Sequence, residues 1–176
     1  MNAISNLIEV LERSPKSDQI LELIKIAESE SSVNITTQIN LLTGVWELKW
    51  STSNSPFLNY SPLLDNLQIL EPERHRGLNL LRPKGFIGKL FSTNILASLE
   101  IIDQKRIDVS FKKAGITGPK LLGKKISFLS EIKKTQKGWL DTTVLSPELR
   151  ICKGYKGTTF ALLKRNDLSL TEFFNA

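Results

Sequence analysis

The spacing of apolar positions changes once along this chain. Ile4, Leu7, Ile8 and Leu11 recur at i, i+3, i+4 and i+7, and beyond Pro15 the stripe resumes at Ile20, Leu21, Ile24 and Ala27. That is the period of an amphipathic helix. Ser17 is the expected N-cap of the second helix, with Asp18 in its first turn near the positive end of the dipole. The spacing predicts a helical hairpin whose one-sided stripe needs a surface to cover. From Gly44 the period is two: Trp46, Leu48 and Trp50 alternate with Val45, Glu47 and Lys49, as in a strand with one buried face. Further strands are expected at 67–71, 77–81, 95–101, 106–111, 125–132, 139–145, 148–153 and 158–164, separated by Gly, Pro, Asn, Asp or Lys-rich stretches such as STSNSP (51–56). No long helical pattern recurs between them. The expected organisation is a helical hairpin over 1–36 and an antiparallel β unit, barrel or sandwich, over 37–176.

A chain of 176 residues can bury a core without help from disulfides or metals. The single cysteine, Cys152, cannot form an intrachain disulfide, which fits a reducing compartment. One Cys and one His are too few for a structural zinc site. No apolar run reaches the roughly 18 residues of a membrane-spanning helix. The start, MNAISNLIEVLER, has neither a basic n-region nor a continuous apolar stretch and is acidic, so a protein that stays in the compartment where it is made is expected.

Charge is unevenly spread. The net charge is +6, yet residues 1–36 carry three Lys/Arg against six Asp/Glu. The β unit therefore carries 21 against 12 and is the basic part. Lys112, Lys113, Lys120, Lys124, Lys125, Lys133, Lys134 and Lys137 cluster around its predicted turns, with Leu121 and Leu122 among them. Phe86, Ile87, Leu90 and Phe91 form a second apolar group beside Lys84 and Lys89. Lysines around exposed apolar residues suit an anionic lipid surface, where each Lys contributes about 1 kcal/mol. An ordinary solvated face is the plainer alternative. Nucleic acid is not the expected partner: base stacking needs exposed aromatics, and Phe111 and Phe128 fall on strand-like runs. Lys also outnumbers Arg there, and Arg is the usual base reader.

Catalytic signals are missing from the pattern. His75 lies in EPERHRG (71–77), a charged turn, and Cys152 lies in the strand-like ELRICKG (148–154), where a buried inert thiol is the plainer reading. No phosphate-loop, G-x-S-x-G or H-E-x-x-H spacing occurs, and GITGPKLLGKK (115–125) fits no known phosphate cradle. No enzyme, metal or cofactor is expected from these residues.

Two segments carry a resemblance. LLTGVWELKWSTS (41–53) resembles the opening strand of the plastid lipid-associated protein (fibrillin) family, and GWLDTTVLSPELRICKGYKGTTFALLK (138–164) resembles that family's C-terminal signature. A looser match runs through F-K-K…G-I…G-P-K (111–120). Together they cover about a quarter to a third of the chain. The resemblance implies a lipocalin-like barrel that associates with thylakoid membranes or lipid globules and has a structural or lipid-carrying role in photoprotection or stress. Plant members of that family carry transit peptides, and the acidic start of this chain does not resemble one, so a cyanobacterial member or a processed form is expected, in the cytoplasm or on the cytoplasmic face of the thylakoid. A bound lipid, quinone or carotenoid would be its only guest. A bilin lyase on a similar barrel and a basic nucleic-acid-binding barrel are the competing readings.

Gly44-Val45-Trp46 has the G-x-W form that opens lipocalin barrels, with an Arg from a late strand expected over the Trp; Arg150 and Arg165 are the candidates. Asp141 and Arg150 are expected to pair across neighbouring strands, and Trp139, Gly154 and Gly157 complete a motif read as architecture. Trp46, Leu48, Trp50, Phe86, Phe91, Phe111 and Phe128 are the candidate lining of the interior. Such a barrel has room either for side chains alone or for one small ligand, and both readings stand at this point.

Overall fold

The computed structural model describes residues 2–55, 58–121, 124–133 and 137–174, and leaves out the side chains of Lys89, Lys120, Leu121, Lys124 and Lys125. Two helices come first, α1 (Ala3–Arg13) and α2 (Ile20–Glu30), then a single turn, α3 (Ile39–Leu42). Asn2 caps α1 through its side chain. Helix α2 starts after the expected Ser17 cap: Ser17 instead accepts from the Gln19 amide in the preceding turn.

Nine strands follow among the described residues: β1 (Gly44–Ser51), β2 (Leu64–Glu71), β3 (Arg76–Pro83), β4 (Ser92–Ile101), β5 (Arg106–Leu121), β6 (Lys124–Glu131), β7 (Lys137–Leu145), β8 (Leu149–Gly154) and β9 (Thr159–Lys164). A short helix, α4 (Phe86–Leu90), joins β3 to β4. All the strand pairings are antiparallel. The order β4-β3-β2-β1-β9-β8-β7-β5 closes through β4–β5 into an eight-stranded barrel. Strand β5 is long enough to serve two neighbours. Its first half pairs with β7 inside the ring, and its second half pairs with β6 outside it. The β5–β6 hairpin therefore stands up from the barrel wall.

Among the described residues, three apolar clusters hold the fold. The barrel interior contains Trp46, Leu48, Leu70, Leu99, Ile107, Val109, Cys152, Phe160 and Leu162. Segment 33–42 plugs one end, contributing Val33, Ile35 and Leu42 to that cluster; the Ile35 amide donates to Gln104 in the β4–β5 turn. The hairpin of α1 and α2 lies on the outer face of β7–β9, where Leu7, Leu11, Ile20, Ile24 and Ala27 meet Val144, Leu149, Ile151, Ala161 and Leu163. On the outer face of β1–β3, Val45, Leu67, Ile69, Leu78 and Leu80 are covered by the C-terminal Leu168, Leu170, Phe173 and Phe174.

One β1 residue breaks the expected alternation. The register with β9 slips between Leu48 and Trp50, so Leu48 stands opposite Leu162 and Trp50 opposite Ala161. An extra residue in a strand reverses which face later side chains take. Leu48 stays in the barrel interior, and Trp50 packs outside against the helix-covered cluster.

Candidate ligand-binding site

The barrel keeps an internal space. A cavity of about 250 Å³ is lined by Leu70, Ala97, Leu99, Val109, Phe111, Leu140 and Phe160, with Gln68, Asn79 and Thr158 as polar members. The lining also includes exposed Leu58, Tyr155 and Lys156. These lie on the β1–β2 and β8–β9 connections, so the cavity opens at that end, opposite the plug of residues 33–42.

The closed end is built on Trp46, which is fully buried and donates from Nε1 to the Leu42 carbonyl at 2.9 Å. Gly44 begins this strand at φ +140°, a region unfavourable for side chains. Two cations approach the Trp46 ring: the Arg150 guanidinium at 5.5 Å and the Lys164 ammonium at 4.9 Å. Burial lowers the Lys164 pKa and the charge of Arg150 lowers it further. Arg165, the other candidate for this place, points outward instead, to Glu47, Asp65 and Asp167.

Arg150 is 1% exposed, and its Nη2 donates to the Gln68 side-chain oxygen and to Cys152 Sγ. The expected Asp141–Arg150 pair does not form. Asp141 sits across from Arg106 on β5 and takes a two-pronged bond from it, at 2.7 and 2.8 Å. The same guanidinium lies 4.1 Å from the Trp139 ring. Asp141 and Arg150 lie nine residues apart along a hairpin whose register pairs Asp141 with Lys153, and the two side chains occupy opposite faces. Gly154 and Gly157 shape the β8–β9 turn: the Gly157 amide donates to the Gly154 carbonyl at 2.8 Å, and Gly157 has φ +77°. Burial pushes the Cys152 thiol pKa up, outweighing the opposing pull of Arg150. That favours the inert thiol. His75 occupies a turn at φ 52° with Nδ1 3.2 Å from the Leu99 carbonyl.

The candidate lining residues separate into three groups. Phe111 lines the cavity, while Trp46 and Leu48 belong to the interior cluster. Trp50 is outside the barrel, for the register reason given above. Phe86, Phe91 and Phe128 are also not in the interior: Phe86 is 74% exposed, Phe128 is 76% exposed, and Phe91 is exposed. Phe86 belongs to α4 and Phe91 to its end, and Phe128 to β6, the strand outside the closed ring. A second bulge, where Ala97 pairs with Phe111 and Leu96 with Lys113, carries the interior face of β5 upward through Ala114 and Ile116. Phe128 stands directly opposite Ile116, and both are exposed. The cavity wall thus continues past the barrel mouth as an uncovered apolar ramp.

Lysines lie on the same two strands as this ramp, with Lys113 opposite Leu96 on the outer face. Lys112, Lys113 and Lys133 are exposed, and Lys113 lies 3.8 Å from Glu131. Lys120 and Lys125 hold directly opposed register positions near the hairpin end, and Lys124 opposes Leu121. Lys134 and Leu122 lie outside the described residues. Sequence reasoning missed Gln68 and Asn79 as inward polar groups, Arg106 as the partner of Asp141, and the outer ion cluster around Glu47. The signal for the last was present: Glu47 alternates with Trp46 and Leu48 and so had to lie on the outer face.

Residues 4–163 match the PAP_fibrillin family. "Probable plastid-lipid-associated protein 12, chloroplastic" of Arabidopsis thaliana is 30% identical over 166 residues, covering 86% of this chain and 40% of that protein. "Chromoplast-specific carotenoid-associated protein, chromoplastic" of Cucumis sativus is 28% identical over 203 residues, covering 87% of this chain and 62% of that protein. The chain thus spans less than two-thirds of the length of either relative. No solved structure matches it. With the match running from α1 to the last strand of the barrel, the chain belongs to the plastid lipid-associated protein (PAP)/fibrillin family.

Proposed function

We propose that this protein is a non-enzymatic carrier of a hydrophobic lipid, quinone or carotenoid, docked by its open end on the anionic surface of a thylakoid membrane or lipid globule. The supporting observation is that the cavity mouth, the α4 aromatics and the β5–β6 ramp occupy one end of the barrel. A ligand leaving a bilayer through that end would pass from lipid to cavity over apolar side chains. The lysines beside the ramp would hold the mouth against negative head groups. The name of the cucumber relative supports a carotenoid-class guest, and a photoprotective or stress role is proposed with that guest. The cavity volume is below the roughly 300–1,000 Å³ of sites that enclose a drug-sized ligand. It would hold one end of a long molecule, with the rest trailing onto the ramp.

The test is vesicle flotation with the intact protein, followed by native mass spectrometry of the floated fraction. Binding to anionic vesicles with a co-migrating lipid or isoprenoid is the expected result. Equal binding to neutral vesicles would remove the lysine surface from this reading. An empty protein after exposure to total lipid extract would remove the carrier.

A further inference from the structure

We infer that the ligand enters the barrel head first, with a hydrogen-bond-accepting oxygen head, a carboxylate or a ring carbonyl, set against Gln68 and Asn79. This rests on the carrier reading and names its ligand chemistry.

Trp46, Gln68 and Asn79 stand in one row across β1, β2 and β3. Gln68 and Asn79 both line the cavity, which is otherwise largely apolar on that side. Gln68 is not free to turn its amide either way. Its oxygen accepts from Arg150, and a guanidinium can only donate. The amide oxygen is therefore committed to Arg150, and the NH₂ end is left to donate elsewhere. Among the described residues that NH₂ has no partner, and neither has the Asn79 side-chain amide.

Arg150 strengthens this polarity. It is buried, no carboxylate pairs with it among the described residues, and its Nε has no hydrogen-bond partner. Its polar contacts are Gln68 and the Cys152 sulfur, with the Trp46 face alongside. A buried charge without a counter-ion is costly. Its positive field reaches the cavity through a polarised amide, and that field favours an acceptor and an anion over a donor or a cation. The floor of the cavity is thus set to select the head of the guest. The apolar wall and the ramp beyond the mouth take its chain.

The test uses the delipidated full-length protein and three probes of matched chain length: a fluorescent polyene fatty acid, its parent polyene hydrocarbon, and the corresponding primary amine. The acid is expected to bind at least tenfold more tightly than the hydrocarbon, and the amine more weakly than either. In Gln68→Leu the acid should lose that advantage while hydrocarbon affinity is unchanged. Asn79→Leu, which leaves Arg150 and its partner in place, should reduce the advantage in part and serves if Gln68→Leu does not fold. A benzoquinone with a short isoprenoid tail separates the two heads: binding that falls in Gln68→Leu marks a ring carbonyl as sufficient. Equal affinity for acid and hydrocarbon in the wild type would overturn the head-first orientation and leave the carrier standing. Failure of every probe to bind would overturn the carrier and this inference with it.

Discussion

Gly44 shows how one residue positions the closed end. At φ +140° it occupies backbone space that side chains avoid, and a Cβ there would come within 2.7 Å of the Lys164 side chain. Gly44→Ala should cost about 1–3 kcal/mol, read as a lower denaturant midpoint at unchanged m-value. An unaltered midpoint would mean that the start of β1 relaxes freely. The bulge at Lys49 gives a second test at this scale. Leu48→Ala opens a hole in the barrel interior and should cost about 2–5 kcal/mol. Trp50→Ala lies outside the barrel and should leave ligand occupancy intact, even where it loosens the helices. Loss of ligand from Trp50→Ala at unchanged stability would argue against the observed register. Sequence pattern reaches its limit at this scale. Alternation identifies two faces of a strand but does not say which is inside. In β2 the apolar Leu67 and Ile69 face outward, because the C-terminal segment covers them, and Gln68 faces in. The same blindness gave Trp50 the wrong face, since nothing in GVWELKWS marks a bulge.

The elements themselves were largely legible, and their pairing less so. Each expected strand has a counterpart, because turn residues punctuate a period-two pattern throughout. The main departure is β5, expected to end at residue 111 and continuing to Leu121. Gly115, Gly118 and Pro119 read as a turn, yet Gly115 is where β5 and β6 approach so closely that a Cβ would strike the Phe128 carbonyl. That extension lifts Phe128 out of the interior where its strand pattern had placed it. The helical stripe was legible, but not the surface it covers, since that surface is assembled from three later strands. Removing residues 2–31 should expose Val144, Leu149, Ile151 and Leu163 together. The truncated chain is expected to bind a hydrophobic dye and to aggregate. A truncated barrel that stays monomeric and dye-free would show that the helices are dispensable to the fold.

For the whole molecule, electrostatics set a stability limit and bear on the proposed docking. Glu47 is 3% exposed on the outer face of β1, within 3.1 Å of Lys49 and of Lys84, and Arg165 is close by. Burial raises its pKa, but the two lysines outweigh burial and the net direction is down. A carboxylate with a lowered folded pKa binds fewer protons when folded than when unfolded. Its stabilisation is therefore complete above the ordinary glutamate value of about 4.3 and is lost as pH falls through the folded value. Melting temperature should drop across that acid range, and Glu47→Gln should be less stable at neutral pH while losing less on acidification. A parallel drop in both proteins would assign the acid limb to other carboxylates.

The proposed docking would rest on charges that lie elsewhere. The Glu47 cluster is neutralised internally, whereas Lys112 and Lys133 have no ion pair among the described residues and Lys113 has one loose contact at 3.8 Å. At about 1 kcal/mol per lysine, reversing Lys112, Lys113 and Lys133 to Glu should weaken binding to anionic vesicles by about a hundredfold or more. These side chains are exposed, so melting temperature and affinity for a soluble probe in the cavity should hold. Raising salt should weaken the wild type on the same vesicles, because exposed charges are screened over about 10 Å at 0.1 M. A triple variant that floats as well as the wild type would leave Phe86, Phe91 and Phe128 as the contacts that hold the protein to lipid, through apolar insertion alone.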